Sequence, residues 1–182
     1  MKTIIGLMGV KQSGKSTVGH ILHAEHGFAI LEPGQQVMSL LLDIDPYLWC
    51  DWCDTVHRTK EIYSNEGYEG FKRFPEGRRL LQELGTRIRE RDPIFWVEQQ
   101  RKVIEESDTS VVHTSVRFPN EAQLITGWSG QLWLIENDRV EDTAEHESET
   151  AWRDLAPTKI IKNNGTMSDL RDTVRSAIME LG

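Results

Sequence analysis

Apolar residues along the chain fall into short runs, separated by longer stretches in which they recur every three or four positions. The short runs are TIIGLM (residues 3–8), FAILEP (28–33), SVVHTSV (110–116), GQLWLIE (130–136) and KIIKN (159–163). Their length suits buried strands. Helical spacing predicts helices from Ser16 to about His26, over QQVMSLLLDI up to Pro46, and over EGRRLLQELGTRIRER from Glu76. Further helices are expected from about Pro93 to Glu106, over NEAQLITG, and over the closing MSDLRDTVRSAIMEL. Leu80, Leu81, Leu84 and Ile88 share one helical face. Strands alternating with helices call for an α/β fold, a doubly wound five-stranded parallel sheet with helices on both faces.

Two stretches interrupt this alternation. Tyr47 to Phe74 is rich in aromatics and charges and is broken by NEGYEGF, so it reads as a mobile, partly helical insert or cap. Trp49 and Trp52, three apart, are expected on one helical face packed into the core. NDRVEDTAEHESETAWRDL reads as a polar surface excursion with a helical end. The reading is one domain, 1–182, with an insert over 34–91 and a lid over 137–153.

Composition narrows the function. Of 182 residues, 27% are charged and 38% hydrophobic, ordinary for a globular chain large enough to bury a core. The net charge of −8 argues against stable nucleic-acid binding, although RFPEGRR and RIRER leave room for a local basic pocket. No apolar run approaches the ~18 residues of a membrane span. The start, MKTIIGLMGVKQSGK, runs straight into a glycine-rich loop with no small-residue cleavage site, so it reads as a strand of a cytoplasmic protein. Cys50, Cys53 and His57 have zinc-ligand spacing, yet no second pair follows. Reduced thiols and a zinc site both stay open.

GVKQSGKST carries the strongest chemistry. Gly9, Gly14, Lys15 and Ser16 satisfy G-x-x-x-x-G-K-[ST], after an apolar strand and before a helix. Gly9, Lys11, Ser13, Gly14, Lys15, Ser16 and Thr17 are therefore the candidate ATP-binding residues. Backbone amides would converge on phosphate oxygens, Lys15 would neutralise the β- and γ-phosphates, and Ser16 would ligate Mg²⁺. No N-K-x-D base-reading motif is present, which favours a kinase over a nucleotide switch.

A kinase needs an acceptor, and arginine's planar fork suits a phosphorylated one. Arg78 and Arg79 lie early in a helix, with Gln82 about one turn on and Thr86 four residues further, as candidates for acceptor phosphate and base. The bland reading of the arginines is a solvated face. Arg117 follows a buried strand at its C-terminal end, where open parallel sheets place ligands. Arg139 and Arg153 flank the polar excursion as candidate lid arginines. His146 and Glu149 share a helical face, as a metal pair or as ordinary capping and salt bridging. Asn120 and Glu121 are expected to fix a turn and cap a short helix.

Together with the loop, RRLLQELGT (78–86), DPIFWVEQ with Trp96, VVHTSVRFPNEA (111–122), HESE (146–149) and KIIKNNGTMSDL (159–170) follow in an order that resembles the bacteriophage deoxynucleoside monophosphate kinases. The resemblance is weakest from Pro33 to Phe74. It implies a P-loop kinase fold, often homodimeric, that moves the γ-phosphate of ATP to a deoxynucleoside monophosphate. It also implies an acceptor-binding role for the 34–91 region and for Trp96. The family's DVRF stands here as SVRF, so Ser115 takes an acidic position near Mg²⁺, where a hydroxyl can hold a metal-bound water. GTE stands as GTR, with Arg87. Gln35 replaces a basic residue, and Asn137 replaces an arginine, with Arg139 two positions on. The alternatives are a P-loop kinase acting on another small or modified-base substrate, and a nucleotide-binding regulator without transfer activity.

Overall fold

In the computed structural model, which describes residues 2–141 and 150–181, strand β1 (Ile4–Met8) is buried along its whole length. A strand with no solvent face needs partners on both edges, and β1 has them. Parallel strands β5 (Val111–His113) and β6 (Gln131–Glu136) flank it. Strand β2 (Ala29–Leu31) pairs with β5, and β7 (Lys159–Lys162) with β6, again parallel. The order β2-β5-β1-β6-β7 is a doubly wound sheet.

Helices α1 (Lys15–His26), α2 (Pro33–Ile44), α3 (Thr59–Arg73), α4 (Pro75–Arg91), α5 (Phe95–Glu106), α6 (Pro119–Gly127) and α7 (Met167–Met179) fill the intervals. Pro33, the last residue of the FAILEP run, opens α2 instead, where its fixed φ and missing N–H are tolerated. Helices α1 and α7 bury Val18, Ile21, Leu22, Leu170, Val174 and Ala177 with Ile5, Leu7, Trp133 and Ile161 of the sheet. Helices lie on both faces of the sheet, as the alternation requires.

The chain forms two compact units, one of Met1–Glu32 with Gln100–Gly182 and the other Pro33–Gln99. The five-stranded sheet belongs to the first. The second has its own core of Met38, Leu41, Leu48, Ile62 and Phe71, against which Leu80, Leu81 and Leu84 of α4 pack.

The start of the expected helical insert is instead an antiparallel hairpin, β3 (Tyr47–Cys50) and β4 (Thr55–Arg58). Its burial alternates, with Leu48 and Cys50 inside and Tyr47 and Trp49 outside. Trp49 and Trp52 therefore share neither a helical face nor a place in the core: Trp49 is 47% exposed and Trp52, in the connecting turn, 69%. Trp52 lies against Phe74 at 5.0 Å between ring centroids. Helix α3 follows, kinked at Gly67 where φ is 65°.

Phe71 and Trp52 separate core from surface. Phe71→Ala empties a fully buried site and is expected to lower stability by about 3–5 kcal/mol. Trp52→Ala removes one ring contact and is expected to lower it by about 1 kcal/mol. Urea unfolding of both variants checks the ranking.

Candidate functional site

The chain leaves β1 at its C-terminal end and must turn at once into α1. Gly9 has φ 134° and Gly14 φ 109°, values that L side chains rarely adopt. A Cβ on Gly9 would also stand 2.5 Å from the Ile135 carbonyl oxygen of β6, and one on Gly14 2.3 Å from Asn163 Nδ2. Both glycines are fixed by shape as well as by the motif.

Helix α1 begins at Lys15 with Gly14 as its N-cap, no side-chain cap among the described residues, and no acid in its first turn. Its first helical bond inside the turn is from Val18 N–H to Gly14 C=O. The amides before it make no i→i−4 bond, and the helix dipole adds positive potential there. Lys15 Nζ reaches back to the Gly9 and Val10 carbonyls, 2.7 Å from each. Ser13 is buried, and its hydroxyl has no hydrogen-bond partner among the described residues. Lys11 and Ser16 are exposed and Thr17 half-buried. An uncapped helix end, an arched lysine and an orphaned buried hydroxyl fit a phosphate.

Asn163 lies within KIIKNNGTMSDL, but sequence reasoning gave it no role of its own. It follows β7 directly, and its Nδ2 donates to Ser13 C=O at 2.8 Å while its backbone N–H donates to Glu136 C=O. Beyond that segment, the signal in the sequence is its position, straight after a strand of a sheet whose C-terminal edge holds the loop.

The segment after β5 reaches the same edge, with Val116 N–H donating to Leu7 C=O. Here Arg117 Nε donates to Ser115 Oγ at 2.9 Å. The buried Glu121 carboxylate takes the backbone N–H groups of Arg117 and Phe118 at 2.7 and 3.1 Å. Gln100 Nε2 donates to Glu121 Oε1 at 3.2 Å, and His113 Nε2 lies 3.2 Å from Gln100 Oε1. Ser115 N–H donates to His113 Nδ1 at 3.3 Å, which sets the proton on Nε2. His113 is fully buried, and desolvation foremost, with Arg117 adding to it, pushes its pKa below the usual 6.5 against the pull of Glu121. The imidazole is a neutral strut.

Arg139 lies in the turn after β6, exposed, with its backbone N–H on Asn137 Oδ1 and its guanidinium donating to the Asn164 carbonyl. Arg153 is exposed on the short 3₁₀ turn Ala151–Asp154. His146 and Glu149 lie outside the described residues.

The remaining candidates belong to the second unit. Arg78, Gln82 and Thr86 follow at four-residue spacing on α4, Arg78 exposed and the other two half-buried. Arg79 is exposed and gripped by Glu83 at 2.8 Å and Glu76 at 3.2 Å, one turn away on either side. These pairs, Glu83 foremost, raise its pKa further. Trp96 is buried, and its indole N–H donates to Gly85 C=O at 2.9 Å.

No family profile matches the chain, and no curated protein matches it. Solved structures do match. Dephospho-CoA kinase from Campylobacter jejuni aligns over 100% of this chain and 98% of its own, at TM-score 0.50 and 15% identity. Shikimate kinase from Bacteroides thetaiotaomicron aligns over 98% of both chains, at TM-score 0.48 and 12% identity. The first likeness establishes the fold: this is the α/β fold of a P-loop kinase. Among the described residues, no helix is long and apolar enough to cross a membrane.

His113 gives the site a pH signature. Its folded pKa lies below the unfolded value, so the stability it contributes is complete above about pH 6.5. That contribution is lost as pH falls through the folded pKa, because the unfolded chain binds the proton first. The stability difference between wild type and His113→Gln, measured by denaturant unfolding, is expected to shrink on acidification below pH 6.5, by at most about 1.4 kcal/mol per pH unit.

Proposed function

We propose that this chain is an ATP- and Mg²⁺-dependent phosphotransferase whose acceptor is a deoxynucleoside monophosphate. The phosphate cradle carries the reading: glycines at positive φ, the uncapped start of α1, and Lys15 arched over the loop. When bound, ATP with Mg²⁺ supplies the transferable phosphoryl group and the cation that shields it. Gly9, Lys11, Ser13, Gly14 and Thr17 hold the phosphates through the loop, Lys15 neutralises their charge, and the Ser16 hydroxyl is a metal ligand. Phosphoryl transfer asks the protein chiefly for positioning and fixed positive charge. Arg117 suits that task because Glu121 and Ser115 hold both its backbone and its side chain. Arg139 is a second cation of the same kind.

Acceptor recognition is assigned to Arg78, Arg79, Gln82 and Thr86 of α4 and to Trp96. The support is the order of motifs shared with the bacteriophage deoxynucleoside monophosphate kinases, and the fitness of guanidinium groups for a phosphate monoester. Trp96, buried and tied to Gly85, would act by shaping the wall rather than by offering its indole N–H.

Two observations favour other readings. The clamp of Glu76 and Glu83 on Arg79 favours a different small acceptor. Ser115, whose hydroxyl accepts from Arg117 and which brings no negative charge to the metal, favours a regulator that binds nucleotide without transfer.

Coupled ADP release with Mg²⁺ and dAMP, dCMP, dGMP or dTMP, each with its ribonucleotide control, separates the first reading from the other two. Acceptor-dependent ADP is expected with at least one deoxynucleotide, and Lys15→Ala should slow it about 10²–10³-fold or more. ATP binding without acceptor-dependent ADP from any monophosphate would defeat the assignment.

A further inference from the structure

The hairpin in the second unit carries a cluster of donors that the phosphate chemistry does not use. In the β3–β4 register, Leu48 faces His57 and Cys50 faces Thr55. Residues two apart on a strand share a face, so Cys50 and His57 are diagonal neighbours on the side that buries Leu48. The connecting turn, 51–54, closes with Asp54 at φ 52° and carries Cys53 back over that face. Cys53 Sγ lies 3.1 Å from His57 Nε2, and one donor atom from each of Cys50, Cys53 and His57 falls within 4.8 Å of the other two. A tetrahedral zinc ion, with Zn–S of about 2.3 Å and Zn–N of about 2.0–2.1 Å, needs its ligand atoms roughly 3.5–3.8 Å apart. Small side-chain rotations bridge the difference.

The other imidazole nitrogen is also accounted for. His57 Nδ1 stands 3.5 Å from Glu61 Oε1, four residues on in the first turn of α3. A carboxylate on Nδ1–H leaves the Nε2 lone pair for a metal, the arrangement that orients and strengthens histidine ligands. We infer that Cys50, Cys53 and His57 form a zinc site of two thiolates and one imidazole, with its fourth position open to solvent and Glu61 as the residue that positions His57. Thiolate and imidazole donors together suit zinc, whereas oxygen-seeking Mg²⁺ and Ca²⁺ are excluded by the same ligands. Binding is not a redox step: two thiols lose their protons to solvent as two Zn–S bonds form. The ion would tie the turn to both strands of a hairpin that, as a two-stranded sheet, has little stability of its own.

The test uses the tag-free full chain under a phosphine reductant, loaded with Zn²⁺ and dialysed, with metal content read by elemental analysis. One zinc per chain is expected. Replacement by Co²⁺ should give thiolate-to-cobalt charge-transfer absorption with the intense visible bands of a four-coordinate ion. Cys53 is exposed, so Cys53→Ser should leave the circular dichroism intact while removing the bound zinc and the charge-transfer bands. Glu61→Gln should keep the spectrum but weaken Zn²⁺ about 10–100-fold, a pattern that loss of a ligand would not give. Lys15→Ala should bind zinc as wild type does, which keeps this result separate from the phosphate reading. Zinc content unchanged by Cys53→Ser, or a Co²⁺ spectrum without charge transfer, would mean that the cluster is only a thiol–imidazole hydrogen bond and would overturn the inference.

Discussion

The backbone path from β1 into α1 is the constraint on which the rest of the sheet-bearing unit depends. The β6 carbonyl of Ile135 crowds Gly9, and the Asn163 amide crowds Gly14. Strand order and loop shape are therefore one requirement: β6 must pair with β1, and β7 with β6, for these walls to exist. The same crowding allows backbone N–H groups, rather than side chains, to line the turn. Burial of β1 on both faces supplies the rigidity, because a strand locked between two neighbours fixes where its last residue ends.

The candidate cations differ in how firmly each is held. Arg117 stands at the end of a buried polar chain from His113 through Gln100 to Glu121, so its backbone cannot shift without breaking bonds far from water. Arg139 is tied at the surface to the Asn164 carbonyl, and Arg79 is shared between two acids of its own helix. Preorganised charge is the kind that stabilises a phosphoryl group in transfer, and by this measure Arg117 is the best-prepared guanidinium of the three.

Much of this was legible in the sequence, for physical reasons. The sheet strands are short, nearly continuous apolar runs because neighbours and helices cover them, and the loop has a spacing that few other structures need. The hairpin was illegible because its pattern runs the other way. Tyr47, Trp49 and Val56 are large apolar residues on its outer face, so tryptophan spacing suggested a buried helix where alternation built a ribbon. Gly67, read as a breaker, is absorbed as a kink within α3. The acids around Arg79 were legible by the same i,i+3 and i,i+4 rule that grouped the arginines with Gln82. Asn163 was not, because a single amide bond to a backbone carbonyl leaves no pattern along the chain.

The central claim is that the backbone between Gly9 and Thr17 is shaped to hold nucleotide phosphate. The most direct measurement is calorimetric titration of MgATP into wild type and into Gly14→Ala, whose added methyl must stand at φ 109° against Asn163. The account predicts saturable one-to-one binding by wild type and at least about tenfold weaker binding by the variant, a loss of roughly 1.4 kcal/mol. Equal affinity in the two proteins, or no binding by wild type, would contradict it.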